Sequence, residues 1–343
     1  AQRIADGVAR ALNNLEPAQI GWGSVDVPGQ VFNRRWYLKP GTPLPNPFGG
    51  YDKVQMNPRR GSPDLLEPAG PTDPQVSFLS VRSKDGRPIA LLANYSLHYV
   101  GGVPQGHVSA DYFALFADKI ARKLDAQRLD PPFVGILSNG TSGDVNNINF
   151  REKGQSQPPY QKMNEVADEV ASAVSQAHRN IRFQDWVPLD ATHQELVLSV
   201  RKPNSEQVEF ARKIQAKPED ATPQYPHERI YAERVMQLHD SPEQVSVPLQ
   251  ALRIGDLGIA AIPFEVFTET GLRIKKESPF PQTFTIELAN GSYGYLPTPR
   301  HHALGGYETW MGTNRVEIQA SDKIEQVLLN LLKSLKEGAS GQP

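Results

Sequence analysis

A five-residue apolar run, Phe133-Val134-Gly135-Ile136-Leu137, stands between two stretches of helical periodicity. This alternation constrains the fold more than any other feature of the chain. The run is too short for a helix and reads as a buried strand. Before it, Phe113, Phe116, Ile120 and Leu124 form the apolar stripe of a helix ending near residue 125, with Ser109 as the expected N-cap. After it, Met163, Val166, Val170 and Val174 predict a helix over 161–179. Strands alternating with helices predict an α/β fold, a mixed β-sheet flanked by α-helices.

The remaining pattern fits that class. Residues 19–27 alternate like a half-buried strand, residues 76–97 read as a hairpin around Asp85-Gly86, and residues 186–200 read as extended. A second hairpin spans 245–262, and 283–288 is a further strand. Residues 204–240 are charged and helical around Pro223 and Pro226, which predicts an inserted helical pair at about 203–243. Amphipathic helices are expected at 2–15, packed on a neighbouring element, and at 322–336. We expect a single large domain over 1–338 and a frayed tail over 339–343. Proline and glycine are dense from 39 to 74. That density predicts a long ordered loop without regular elements, either a solvent-facing insertion or the wall of a cleft.

Composition narrows the function classes. The chain has 343 residues, 38% hydrophobic and 22% charged, with a formal net charge of -2. That balance gives no bulk electrostatic pull toward nucleic acid or membrane. With no Cys, disulfides and thiolate chemistry are excluded, and a metal would sit on His, Asp, Glu or Tyr. No apolar run approaches the roughly 18 residues of a transmembrane helix. The chain opens at Ala1 inside a helical pattern, so further sequence upstream is expected.

Three strands end at polar residues with no packing role: at His98, at the loop Ser138–Asn149, and at Glu265. Sheet proteins carry chemistry in loops just beyond a strand's carboxyl end. Gly140 and Gly143 permit tight backbone, and Asp144, Asn146, Asn147 and Asn149 supply polar groups that also make ordinary Asx turns. Glu265 closes a buried strand, where a carboxylate must be paired or bound to a cation. His107 is a further candidate near His98, whereas His301 and His302 read as solvent-facing. No nucleophile elbow, paired-histidine zinc motif or phosphate-binding glycine loop is present.

Taken in order, these segments resemble the catalytic domain of the neutral ceramidase family, in the shorter form of its bacterial members. Ala93-Asn94-Tyr95-Ser96-Leu97-His98 is similar to the family's Asn-Trp-Phe-Ala-Val-His, and Pro263-Phe264-Glu265-Val266-Phe267 to its Pro-Gly-Glu-Phe-Thr. Residues 290–299 resemble Asn-Gly-Tyr-Ser-Ser-Tyr-Val-Thr-Thr-Pro, and Tyr307-Glu308 matches a Tyr-Glu pair. Asn33-Arg34 resembles an Asn-Arg motif whose Arg lines the site. The resemblance implies Zn2+ held by His98, Glu265 and Tyr295, with Tyr307, Arg34, Asp144 and Asn146 as catalytic residues. It also implies a family His-Thr-His-Ser motif, with the first zinc His, upstream of Ala1. The family carries its nucleophilic Ser in Gly-Asp-Val-Ser-Pro-Asn, whereas this chain reads Gly143-Asp144-Val145-Asn146-Asn147.

The implied activity is zinc-dependent hydrolysis of an N-acyl, ceramide-like amide, as in sphingolipid metabolism. Metal-activated water replaces the missing Ser as attacking group, Tyr307 and Arg34 donate to the oxyanion, Asp144 orients water or ligand, and Asn146 binds the substrate amide. Two alternatives stay open: a zinc hydrolase of another amide or ester, and a non-catalytic lipid- or carbohydrate-binding relative. The expected partner is a small-molecule or lipid amide, with room for peripheral membrane contact and no indicated nucleic-acid or protein partner. The family points to a secreted or periplasmic protein.

Overall fold

Period-two alternation of apolar residues gives each long strand two usable faces. In the computed structural model, which describes residues 2–338, both faces are used. The first sheet orders its strands as Ala18–Asp26, Gln75–Ser83, Pro88–Tyr95 and Val134–Asn139. The second orders Leu189–Ser199, Gln244–Ile254, Leu257–Ile262 and Gln282–Glu287. Each sheet is mixed, with one parallel pair: Pro88–Tyr95 with Val134–Asn139, and Leu257–Ile262 with Gln282–Glu287.

The sequence of each strand sorts its residues between layers. Phe78, Leu91 and Ala93 point into a core shared with the helices Asp111–Lys123 and Gln161–His178. Their neighbours Leu79 and Leu92 face Leu257, Ile259 and Phe284 of the second sheet. On that sheet's far side Ala260 and Ile262 pack with Ile324, Leu328 and Leu332 of the helix Ala320–Gly338. The α/β class therefore takes a four-layer form, helix–sheet–sheet–helix, in place of one flanked sheet. Burial of each apolar side chain contributes about 1.5–3 kcal/mol, so the inter-sheet layer is a large part of the fold's stability.

Several local expectations change. Val134–Asn139 is an edge strand, with Val134 50% and Ile136 45% exposed, rather than buried on both faces. Only its inner face is covered, where Gly135 lets the helix approach: a Cβ there would lie 2.8 Å from the Ala117 carbonyl oxygen. The helix before it starts at Asp111, not from a Ser109 cap; Ala110 holds the N-cap position, and the Asp111 carboxylate accepts from Val100, Gly101 and Tyr112 N–H groups. The proline- and glycine-rich stretch holds two short strands, Val54–Met56 and Leu65–Pro68, on either side of Arg35–Leu38. Pairing with a neighbouring strand supplies the hydrogen bonds that local sequence could not promise. The amphipathic helix Gln2–Asn13 buries none of its residues; Ile4, Val8 and Leu12 are exposed. The helical pair is present as Ser205–Gln215 and Glu228–Asp240, the first capped by Asn204 in a capping box with Gln207. The expected tail at 339–343 lies outside the described residues. No described helix is long and apolar enough to cross a membrane.

Candidate functional site

The two parallel pairs end on the same side, and their carboxyl ends meet. His98 follows one strand and the loop 139–146 follows its partner. Glu265 follows a strand of the second sheet, and Glu287 ends the strand beside it. The Asn94 amide, donating at 3.0 Å to the Thr285 carbonyl, ties the two sheets together at this point.

Arg34 stands at the centre. Its neighbours Phe32 and Asn33 pair with Asn146 and Val145, and its own N–H donates to the Asp144 carbonyl at 2.8 Å. The guanidinium donates to Glu308 at 3.1 Å, to the Gly143 carbonyl at 2.8 Å and to the Tyr295 hydroxyl at 3.1 Å. Burial works against its charge, but Glu308 and the Tyr295–Glu265 pair more than compensate and raise its pKa. Glu308 is fully buried and also accepts from Arg35 at 2.6 Å, so one carboxylate serves two guanidiniums.

Glu265 and Tyr295 are partners in a two-residue parallel bridge, which sets both side chains on one edge. Burial raises the pKa of both groups, and the nearby Arg34 charge opposes the rise. His98 is half-buried, its ring 4.4 Å from that of Tyr99 and tilted 44° to it. Burial, and then the nearby Arg34 charge, lower its imidazole to about 3, so it is neutral. Tyr307 packs edge-on to Tyr295, ring centroids 6.0 Å apart, and lines a cavity of about 410 Å3 whose other wall comes from residues 42–56. That stretch therefore walls a cleft. Farther along, the chain passes closely over the site: a Cβ on Gly70 would lie 3.2 Å from Asp144 Oδ2.

Two sequence candidates have other work. Asp144 is fully buried, its Oδ1 accepting from the Thr268 N–H and hydroxyl at 2.8 Å each and its Oδ2 from Asn33 at 2.9 Å. Burial raises its pKa, and these donors oppose the rise. With its oxygens engaged, Asp144 fastens the loop to Asn33 and Thr268 and does not present itself to substrate. Asn146 donates one amide N–H to Asn57 Oδ1 at 2.8 Å and accepts from the Ile148 N–H at 2.9 Å, which leaves one amide N–H to use. His107 is exposed and bonds to Tyr160. His301 and His302 do not face solvent. Pro299 starts a short helix that turns them inward; His301 is fully buried on Thr298, and both ring nitrogens of His302 are buried without partners among the described residues.

Glu287 is the residue that sequence reasoning missed. It is buried and accepts from Asn139, from the Ser142 N–H and hydroxyl, and from the Val266 N–H, so it clips the loop to the strand of Glu265. Burial pushes its carboxyl up to about 8 despite these donors. The signal that marked Glu265, a carboxylate ending a buried strand, was present here too.

No protein-family model and no curated protein matches the sequence. Solved structures do match. Neutral ceramidase from Pseudomonas aeruginosa superposes with a TM-score of 0.64 over 97% of this chain and 55% of that one, at 15% identity. The chain has the neutral ceramidase fold. A ceramidase complexed with C2 matches with a TM-score of 0.64 at 14% identity, covering 97% of this chain and 56% of that one. The chain thus spans a little over half the length of the ceramidases it matches.

On this ceramidase fold the test for a metal is the chemistry of the donors. Among the described residues no three His, Cys, Asp or Glu side chains form a metal-sized group. The available set is mixed: one neutral imidazole (His98), one carboxylate (Glu265) and one phenol (Tyr295). His98 has no hydrogen-bond partner among the described residues, which leaves its lone pair free. The imidazole nitrogen and the carboxylate oxygen are donor types that zinc takes.

Proposed function

We propose that the chain is a zinc-dependent amide hydrolase of the ceramidase type that cleaves an N-acyl bond. The observation that carries this reading is the pairing of Glu265 with Tyr295 beside Arg34, with neutral His98 within reach of the Arg34 charge, where two parallel strand pairs end on a neutral ceramidase fold. His98, Glu265 and Tyr295 would hold the metal, which when bound supplies Lewis-acid activation of water.

The chain's own residues do the rest. Arg34 is fixed by Glu308 and the Gly143 carbonyl before substrate arrives, so its charge meets the developing oxyanion without reorganisation. Tyr307, on the cleft side of Tyr295, is the second donor. Removing one such donor costs on the order of 10²–10³ in rate. Asn146 holds the substrate amide through its remaining N–H. Asp144 acts one step back, as a positioning residue that keeps the loop against Arg34. The cleft beside Tyr307 gives the acyl group a place to lie.

The experiment is metal analysis of the purified protein together with hydrolysis of a fluorogenic N-acyl amide. Near-stoichiometric zinc is expected. Glu265→Ala and His98→Ala abolish metal-dependent hydrolysis, and Asn146→Ala leaves measurable turnover. Full activity in Glu265→Ala, with its fold intact, overturns the assignment.

A further inference from the structure

Beyond Asn146 the loop runs into a second cavity, of about 440 Å3, lined by Asn147, Asn149, Arg60, Lys153, Lys162 and Glu152 among others. Its size is that of a small-molecule site. Three of these residues are cations and one is an anion, and the anion is engaged: Glu152 accepts from the Asn149 amide at 2.8 Å. Among the described residues none of the three cations forms a salt bridge.

The backbone brings two of these cations together. Gly61 has a φ of +64°, and a Cβ on it would lie 2.9 Å from Lys153 Cγ. A Cβ on Gly154 would lie 3.3 Å from Arg60 Cδ. The dipeptides Arg60-Gly61 and Lys153-Gly154 therefore clasp each other, each glycine making room for the other's basic side chain. The Gly61 N–H, donating to the Phe150 carbonyl at 2.8 Å, locks the clasp to the end of the loop. The clasp sets both basic side chains, each exposed to solvent, on the wall of one cavity. The arrangement makes sense with a bound anion.

This cavity is joined to the proposed site. Asn146 precedes Asn147 of the basic cavity, and its partner Asn57 follows Met56, which lines the cleft beside Tyr307. One hydrogen bond thus joins the chain neighbours of a lining residue in each cavity. The cleft on the Tyr307 side sets Pro43, Leu44, Pro45, Met56 and Trp310 beside the polar Asp52, Gln55 and His227, a mixed lining with an apolar strip.

We infer that the ligand is an amphiphile with an anionic head, a phosphate or carboxylate held by Arg60, Lys153 and Lys162, and an apolar chain in the cleft at Tyr307. For hydrolysis this rests on the N-acyl amidase reading above and narrows its substrate to N-acyl compounds with a charged head. The anion site itself stands on the cavity and the clasp.

The test uses a matched set of probes: N-dodecanoylethanolamine, its phosphate monoester, and N-dodecanoylglycine. Binding is measured by calorimetry at low and high ionic strength, and hydrolysis is measured separately. The phosphate ester binds roughly tenfold tighter than the neutral parent, as several exposed charge pairs acting together allow. High salt and the combined variant Arg60→Gln, Lys153→Gln, Lys162→Gln remove that preference. If N-dodecanoylglycine shares the preference, the site reads charge; if only the phosphate ester does, it reads phosphate. Equal binding of neutral and charged probes, or a preference that survives the triple variant, overturns the inference. Charge-selective binding without turnover retires the hydrolase reading and keeps the anion site. Turnover without charge preference does the reverse.

Discussion

Replacing Glu308 by Gln tests the electrostatic frame on which the whole site depends. The Glu308 carboxylate is fully buried and holds Arg34 at 3.1 Å and Arg35 at 2.6 Å. Gln keeps an acceptor but removes the charge, so two buried guanidiniums face each other with no anion between them. Arg34 retains the Gly143 carbonyl and Tyr295 hydroxyl, and Arg35 retains the Gly305 carbonyl, so neither is wholly unsatisfied. Breaking a buried ion pair from one side costs about 3–5 kcal/mol. At about 2 °C per kcal/mol for a large chain, the melting temperature falls by roughly 6–10 °C. Thermal circular dichroism reads this directly, and urea unfolding supplies a second measure at fixed temperature. Replacing all three members, Arg34→Met, Arg35→Met and Glu308→Leu, should recover much of the loss, because no buried charge is then unpaired. Catalysis would not recover with it. A fall of less than about 2 °C for Glu308→Gln would mean that solvent reaches the triad and that Arg34 is not held in advance.

Two further outcomes follow from the loop. Gly143→Ala places a Cβ 2.7 Å from the Glu265 carbonyl oxygen, which is backbone and cannot swing aside. The loop must shift away from Glu265, and kcat/KM for the N-acyl amide should fall about 100-fold; unchanged kinetics would refute the contact. Glu287 is raised from an ordinary 4.5 to about 8, so the folded protein keeps this proton over a range where the unfolded chain has released it. Its contribution to stability is complete below about 4.5 and is lost as pH climbs through about 8. Melting temperatures of wild type and Glu287→Gln, measured across that range, should converge or cross; parallel curves would place the Glu287 carboxyl in ordinary solvent.

Much of the layer pattern was legible from the sequence, because strand and helix periods depend on which side chains face apolar neighbours. Phe78 beside Leu79 and Leu91 beside Leu92 already carry two apolar faces. They do not say whether a helix or a second sheet covers each face. The short strands at Val54–Met56 and Leu65–Pro68 were hidden because their pairing partner, Arg35–Leu38, sits well outside a local window. The inward-facing histidines at 301 and 302 were missed because a single turn of helix, not composition, decides their direction.

The same division holds for the site. Sequence alone determined the candidate set: a His, a loop and a Glu at strand ends, and two tyrosines at a spacing shared with a known family. It could not rank Asp144 against Glu287, since both are carboxylates at the ends of apolar runs. Only the tertiary structure decided that Asp144 is consumed by Thr268 and Asn33, that Glu287 clips the loop to the strand of Glu265, and that Glu308 holds Arg34. The physical reason is separation along the chain. Hydrogen bonds and ion pairs between residues far apart along the chain leave no periodic trace, whereas burial of one face of a strand or helix repeats every two to four residues and can be read directly.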